Sequence, residues 1–157
     1  GLNFINIGMS GSAKMDLPAE AMISGFNADA YILDCIPNVS AQNIRDRAYP
    51  FIMALRKQHP GVPIIVMESV VQEIEVFDQE TDKSLKEQNK ALVEVMTQLK
   101  KEKVPHLYFI KSTNLLGNDN EGTIDGSHPN DIGFFRMTAG LKKPIVKILK
   151  RYGIVGK

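Results

Sequence analysis

Three observations predict an α/β fold with a mainly parallel sheet covered by helices on both faces. Short apolar runs alternate with segments of helical periodicity. The runs are apolar almost throughout, where a half-exposed strand would alternate. The breaks between them carry Gly, Pro and Asn. Strands buried on both faces have this continuous character, and parallel neighbours need a crossover that is usually a helix. The chain has 157 residues and is most simply a single domain over residues 1–157, able to bury about two thirds of its unfolded surface without staples.

Residues 3–7 form the first apolar run and end in Gly8-Met9-Ser10-Gly11-Ser12, which predicts a strand leading into a tight loop. A helix over residues 17–26 follows. The run at 30–36 predicts a strand that breaks at Pro37-Asn38. Ser40 is placed to cap a helix in which Ile44, Ala48, Phe51, Ile52 and Leu55 share a face, while Pro50 predicts a kink or a new first turn. Gly61-Val62-Pro63 opens a strand at 64–67, and residues 68–80 make a long acidic and apolar connection. The clearest helix spans about 83–102, with Leu85, Leu92, Val95, Met96 and Leu99 at helical spacing. A strand at 106–110, a polar loop at 111–123 and a helix from Pro129 to about residue 152 complete the pattern, Pro129 suiting a first helical position.

Composition narrows the function. Lys and Arg number 19 against 18 Asp and Glu, a formal charge of +1, which offers no electrostatic case for a nucleic-acid partner. Lys142, Lys143, Lys147, Lys150 and Arg151 make a solvated face near a helix C-terminus. Cys35 is the single cysteine, so neither an intrachain disulfide nor a thiolate cluster forms, and we expect it buried as a small hydrophobe. No apolar stretch approaches the roughly 18 to 20 residues of a membrane span. We read the chain as soluble, with a secreted or periplasmic compartment preferred to a cytoplasmic one, and the oligomeric state open.

Chemistry collects at Ile124-Asp125-Gly126-Ser127-His128-Pro129-Asn130-Asp131. An aspartate three residues before a histidine, with a glycine between them to let the backbone turn, suits a carboxylate that orients an imidazole. A neutral imidazole can take a proton near pH 7 and return it, while a buried aspartate fixes its tautomer. The plainer alternative is a polar turn in which Asp125 only caps the next helix. In a parallel sheet the loops after the strands share one edge, where ligands bind. That edge gathers Gly11, Asn38, residues 68–80 and the Asp125/His128 turn. Gly11 can aim a backbone N–H at an oxygen, and the Asn38 amide can supply a second donor; a turn glycine and a loop asparagine are the alternatives. Glu68, Glu73 and Glu75 could line the mouth of the cleft, but a solvated loop is the expected place for them. Asn118 to Gly122 lacks the acidic spacing and bidentate glutamate of a calcium loop, and no cofactor or metal is expected.

The ordered set Asn6-Ile7-Gly8-Met9-Ser10-Gly11, Leu33-Asp34-Cys35-Ile36-Pro37-Asn38 and Asp125-Gly126-Ser127-His128-Pro129-Asn130 resembles the second, third and fifth sequence blocks of the SGNH hydrolases, also called GDSL-type esterases and lipases. The resemblance runs from Asn6 to the last helix. It implies a flavodoxin-like three-layer α/β/α fold, with Gly11 and Asn38 as oxyanion-hole donors, His128 as general base and acid, and Asp125 as its orienting partner. It also implies a first block carrying the nucleophilic serine on a strand upstream of the glycine block. That block and strand are not in this sequence, so we expect a fragment of an esterase. Ser10 and Ser12 flank the glycine, Ser40 caps a helix and Ser127 lies inside the histidine turn. The third block departs from the common G-x-N-D form by placing Cys35, Ile36 and Pro37 before Asn38.

The implied activity is serine-type hydrolysis of a small-molecule, carbohydrate or lipid ester through an acyl-enzyme. A non-catalytic flavodoxin-like binding module is the alternative. Gly8-x-x-Gly11 is too short for a dinucleotide fingerprint.

Overall fold

The computed structural model describes residues 1–70, 73 and 78–156. Its elements in order are α1 (Leu17–Ser24), β1 (Tyr31–Leu33), a 3-10 turn (Ile36–Asn38), α2 (Ala41–Gln58), β2 (Ile64–Met67), α3 (Gln79–Lys101), β3 (Leu107–Ile110) and α4 (Asp131–Arg151). The strands form one parallel sheet in the order β1-β2-β3, with Ile32 beside Ile65 and Ile65 beside Tyr108.

Alternation along the strands divides the core into two layers. Leu33, Ile64 and Val66 meet Ile44, Ile52 and Leu55 of α2 and Leu92 and Leu99 of α3. On the other face Ile65, Met67 and Ile110 meet Ile148, Leu141 and Ile145 of α4. Every residue of central β2 is buried, which is why that strand carries no polar side chain. The result is the expected three-layer α/β/α arrangement.

Local chemistry accounts for the helix ends. Ser40 Oγ accepts from the Asn43 N–H at 3.2 Å, and Ile44, Ala48, Phe51, Ile52 and Leu55 form the buried face of α2. Pro50 lies inside one continuous helix and starts no new one. It is on the exposed side, where water can take the carbonyl that its missing N–H leaves unpaired. α3 begins earlier than periodicity indicated, because Asp78 caps it by accepting from Glu80 and Thr81 N–H. α4 does not start at Pro129. Its cap is Asn130, whose Oδ1 accepts from Gly133 N–H at 3.0 Å, and Pro129 is bridged to Thr123 ahead of the helix.

One expected strand is absent. Residues 3–7 are coil and largely exposed, Phe4 by 80% and Ile5 by 65%. An apolar run becomes a strand only when a ladder takes up its N–H and C=O groups, and among the described residues none pairs with it. The same side of the sheet is open at β1, which among the described residues pairs only with β2. Ile32 shares a face with Ile65, yet it stays 42% exposed because α4 covers β2 and β3. Among the described residues no helix is long and apolar enough to cross a membrane.

Candidate active site

The glycine loop is anchored although the run before it is not. Met9 packs against the core and Met15 is buried within it, while Ser12 N–H donates to Met9 O at 2.9 Å. Gly11 has φ +83°, a left-handed conformation that costs a side chain dearly. Its open face looks onto Asn38: a Cβ placed on Gly11 would stand 3.9 Å from Asn38 Oδ1. Asn38 ends the 3-10 turn that follows β1, held by its own N–H to Cys35 O at 3.1 Å. Gly11 and Asn38 are thus brought together at the carboxyl end of β1. Cys35 beneath them is half-buried against the core, and burial pushes its thiol up to about 12. It is inert as a nucleophile.

Asp125 and His128 form the second pair. Asp125 Oδ2 lies 2.7 Å from His128 Nδ1, and Asp125 Oδ1 accepts from the N–H groups of His128 at 2.8 Å and Ser127 at 3.0 Å. The His128 N–H, then its imidazole, then the Ser127 N–H hold the carboxyl well below its usual range, at about 2. Ionised at neutral pH, that carboxylate can only accept, so His128 Nδ1 donates. A neutral ring then presents the Nε2 lone pair outward, the arrangement a general base needs. The aspartate is not buried as expected: its side chain is 52% exposed, and that of His128 is 80% exposed.

Backbone contacts shape this turn. Ile124 N–H donates to His128 O at 2.9 Å, Gly126 takes φ +86°, and its N–H donates to Thr123 Oγ1 at 3.1 Å. At the base Asn130 N–H donates to Gly122 O at 3.0 Å, and Asn130 Nδ2 donates to Glu121 O and Thr123 O.

Glu73 was expected in solvent. Instead it accepts from Gly122 N–H at 2.8 Å and from the Thr123 hydroxyl. Glu68 likewise accepts from Ser112 N–H at 3.2 Å, tying the end of β2 to the loop after β3. Glu75 lies outside the described residues. Asp119 is taken up by Arg136, with Nη1 and Nη2 each 2.6 Å from a carboxylate oxygen, and among the described residues no His, Cys, Asp and Glu cluster could hold a metal. Asn130 and Thr123 were foreseeable from cap and turn chemistry. Glu73 was not, because its partners lie 49 and 50 positions away.

Both pairs stand at the carboxyl edge of the sheet, with β2 between the strands that carry them. Among the described residues no hydrogen bond links one pair to the other. Fold and site together define a three-layer parallel α/β domain with an Asp–His turn after β3. The chain belongs to the GDSL-like lipase/acylhydrolase family, whose model matches residues 1–147.

Solved structures agree. A protein from Bacteroides ovatus ATCC 8483, named for its likeness to the GDSL lipases, is 49% identical with a TM-score of 0.93, covering 96% of this chain and 44% of its own. The salicylyl-acyltransferase SsfX3 of a tetracycline biosynthetic pathway shares the fold at 15% identity and a TM-score of 0.67, over 85% of this chain and 42% of its own. A carbohydrate esterase of family 3 from Talaromyces cellulolyticus does so at 16% identity and 0.59, over 87% and 66%. The chain therefore spans less than half the length of the first two. Among curated proteins there is no significant sequence match.

Proposed function

We propose that this chain supplies the base, its orienting carboxylate and the oxyanion donors of a serine-type ester hydrolase. The observation that carries the reading is the 2.7 Å Asp125–His128 contact in a chain of the GDSL-like lipase/acylhydrolase family. In this reading the nucleophilic serine comes from outside residues 1–157. The unpaired edge of β1 and the uncovered Ile32 support a further strand there.

The serine Oγ attacks the ester carbonyl carbon as His128 Nε2 takes its proton. The tetrahedral oxyanion receives hydrogen bonds from the Gly11 N–H and the Asn38 amide. Collapse breaks the bond to the alcohol oxygen, which His128 protonates, leaving an acyl-serine. Water then attacks the acyl carbon, giving its proton to His128, and the acid departs as the serine is reprotonated. The substrates of this reading are acetyl or other acyl esters of sugars or lipids.

A fluorophosphonate probe tests it on the protein expressed from its complete reading frame. Labelling of a serine that fails in His128→Ala is expected. Silence of the unmodified protein would favour a binding module.

A further inference from the structure

We infer that Glu73 is a positioning residue for the Asp125–His128 pair, an inference that rests on the ester-hydrolase reading. Asp125 and His128 are exposed, so packing does not hold their side chains. Their relative placement comes from the backbone of residues 124–128, which turns through a glycine and is flexible by composition. Pins must therefore supply the rigidity that a productive geometry requires. Local pins run from Ile124 N–H to His128 O, from the Ser127 and His128 N–H groups to Asp125 Oδ1, and from Asn130 to the backbone of residues 121–123. One further pin runs outward to another loop: Gly126 N–H donates to Thr123 Oγ1, and the Thr123 hydroxyl donates to the Glu73 carboxylate. The second oxygen of that carboxylate holds Gly122 N–H at 2.8 Å.

Glu73 thus grips the segment entering the turn at two successive residues, Gly122 and Thr123, and reaches its apex through one hydroxyl. It comes from the segment after β2, whereas the turn follows β3, so the brace spans two loops of the same sheet edge. A positioning carboxylate of this kind touches no substrate. Its removal loosens the Gly126 peptide, lets the Asp125 carboxylate swing from Nδ1, and frees the ring to adopt the Nε2–H tautomer, in which the lone pair faces the wrong way.

The test uses Glu73→Ala, Glu73→Gln and Thr123→Val in the protein from its complete reading frame. It reads kcat and KM on a p-nitrophenyl ester and the ring 15N shifts of His128. Glu73→Ala should lower kcat on the order of a hundredfold, as a misplacement near 1 Å can, with KM changed by less than about twofold. The His128 shifts should move from the Nδ1–H toward the Nε2–H pattern. Glu73→Gln keeps an oxygen for Gly122 N–H and an amide for Thr123, so it should recover most of the loss. Thr123→Val, nearly the same in shape, should fall between the two, and together with Glu73→Gln it carries the test if the alanine variant does not fold.

Normal kcat with unmoved ring shifts in Glu73→Ala would overturn the inference. So would equal losses in the alanine and glutamine variants with an unmoved ring spectrum. If the unmodified protein neither hydrolyses esters nor takes up a fluorophosphonate, the ester-hydrolase reading fails separately. The ring shifts then decide alone: movement in Glu73→Ala upholds the brace and no movement overturns it.

Discussion

Replacing Asp125 by Asn separates two jobs held by one carboxylate. Asp125 Oδ1 accepts from Ser127 and His128 N–H at 3.0 and 2.8 Å, while Oδ2 faces His128 Nδ1 at 2.7 Å. An asparagine can keep its oxygen on the two backbone donors, so the turn survives. Its amide nitrogen then faces Nδ1 and donates to it, which places the ring proton on Nε2 and removes the lone pair needed to accept from a serine. In serine hydrolases a wrong tautomer of this origin costs about 10⁴ in kcat, and we expect a loss of that order in p-nitrophenyl acetate hydrolysis by the complete protein. Thermal stability near neutral pH should fall modestly, because a neutral amide oxygen accepts more weakly than the carboxylate it replaces.

The pH dependence has a definite sign. The folded Asp125 carboxyl titrates at about 2, below its ordinary 3.8. Its contribution is therefore complete above about pH 4 and lost only as the pH falls toward 2. Any acid limb of activity between pH 5 and 7 must then persist unshifted in enzyme whose Asp125 is intact, and 13C titration of that carboxyl should show it ionised at pH 4. Turnover of Asp125→Asn within about tenfold of the parent would refute the orienting role and leave Asp125 as the shaper of a polar turn.

Asn38→Ala is expected to lower kcat on the order of a hundredfold to a thousandfold, as the loss of one oxyanion donor does; steady-state kinetics on the same ester check it. Arg136→Met removes the paired contacts to Asp119, whose carboxyl Arg136 holds down at about 2. Its melting temperature should fall below that of the parent above pH 4, the difference closing as the pH drops toward 2, by circular dichroism. Residues 1–157 expressed alone should hydrolyse no ester above background and unfold over a broad range. Each buried backbone group left unpaired along β1 costs about 1 to 3 kcal/mol against a usual net stability of about 5 to 15. Cooperative unfolding together with clear turnover would refute this and make Ser10 the first serine to substitute.

Much of the fold was legible because it depends on short-range patterns. The run at Ile64–Met67 is a strand from end to end, and the Ser40 cap starts α2 where the hydroxyl predicts. Residues 3–7 show the limit of that signal. Apolar character and a following glycine look the same whether or not a neighbouring strand is present to complete the ladder. The polar first turn of α3, which the structure shows capped by Asp78, escaped a reading anchored on apolar spacing. At the site, the Asp–His turn was legible because its hydrogen bonds span three residues. The exposure of both side chains and the Glu73 contact depend on which loops lie side by side.

Parallel pairing also sets a timetable. β2 can pair with β3 only after α3 has been made, and the Asp125–His128 turn follows β3 in the chain. A ribosome adds about 5 to 20 residues each second, so seconds separate the emergence of the glycine loop from that of the imidazole. A nascent chain in this interval carries Gly11 and Asn38 without their distant counterpart, and the Asp125–His128 contact can form only once the segment after β3 has emerged.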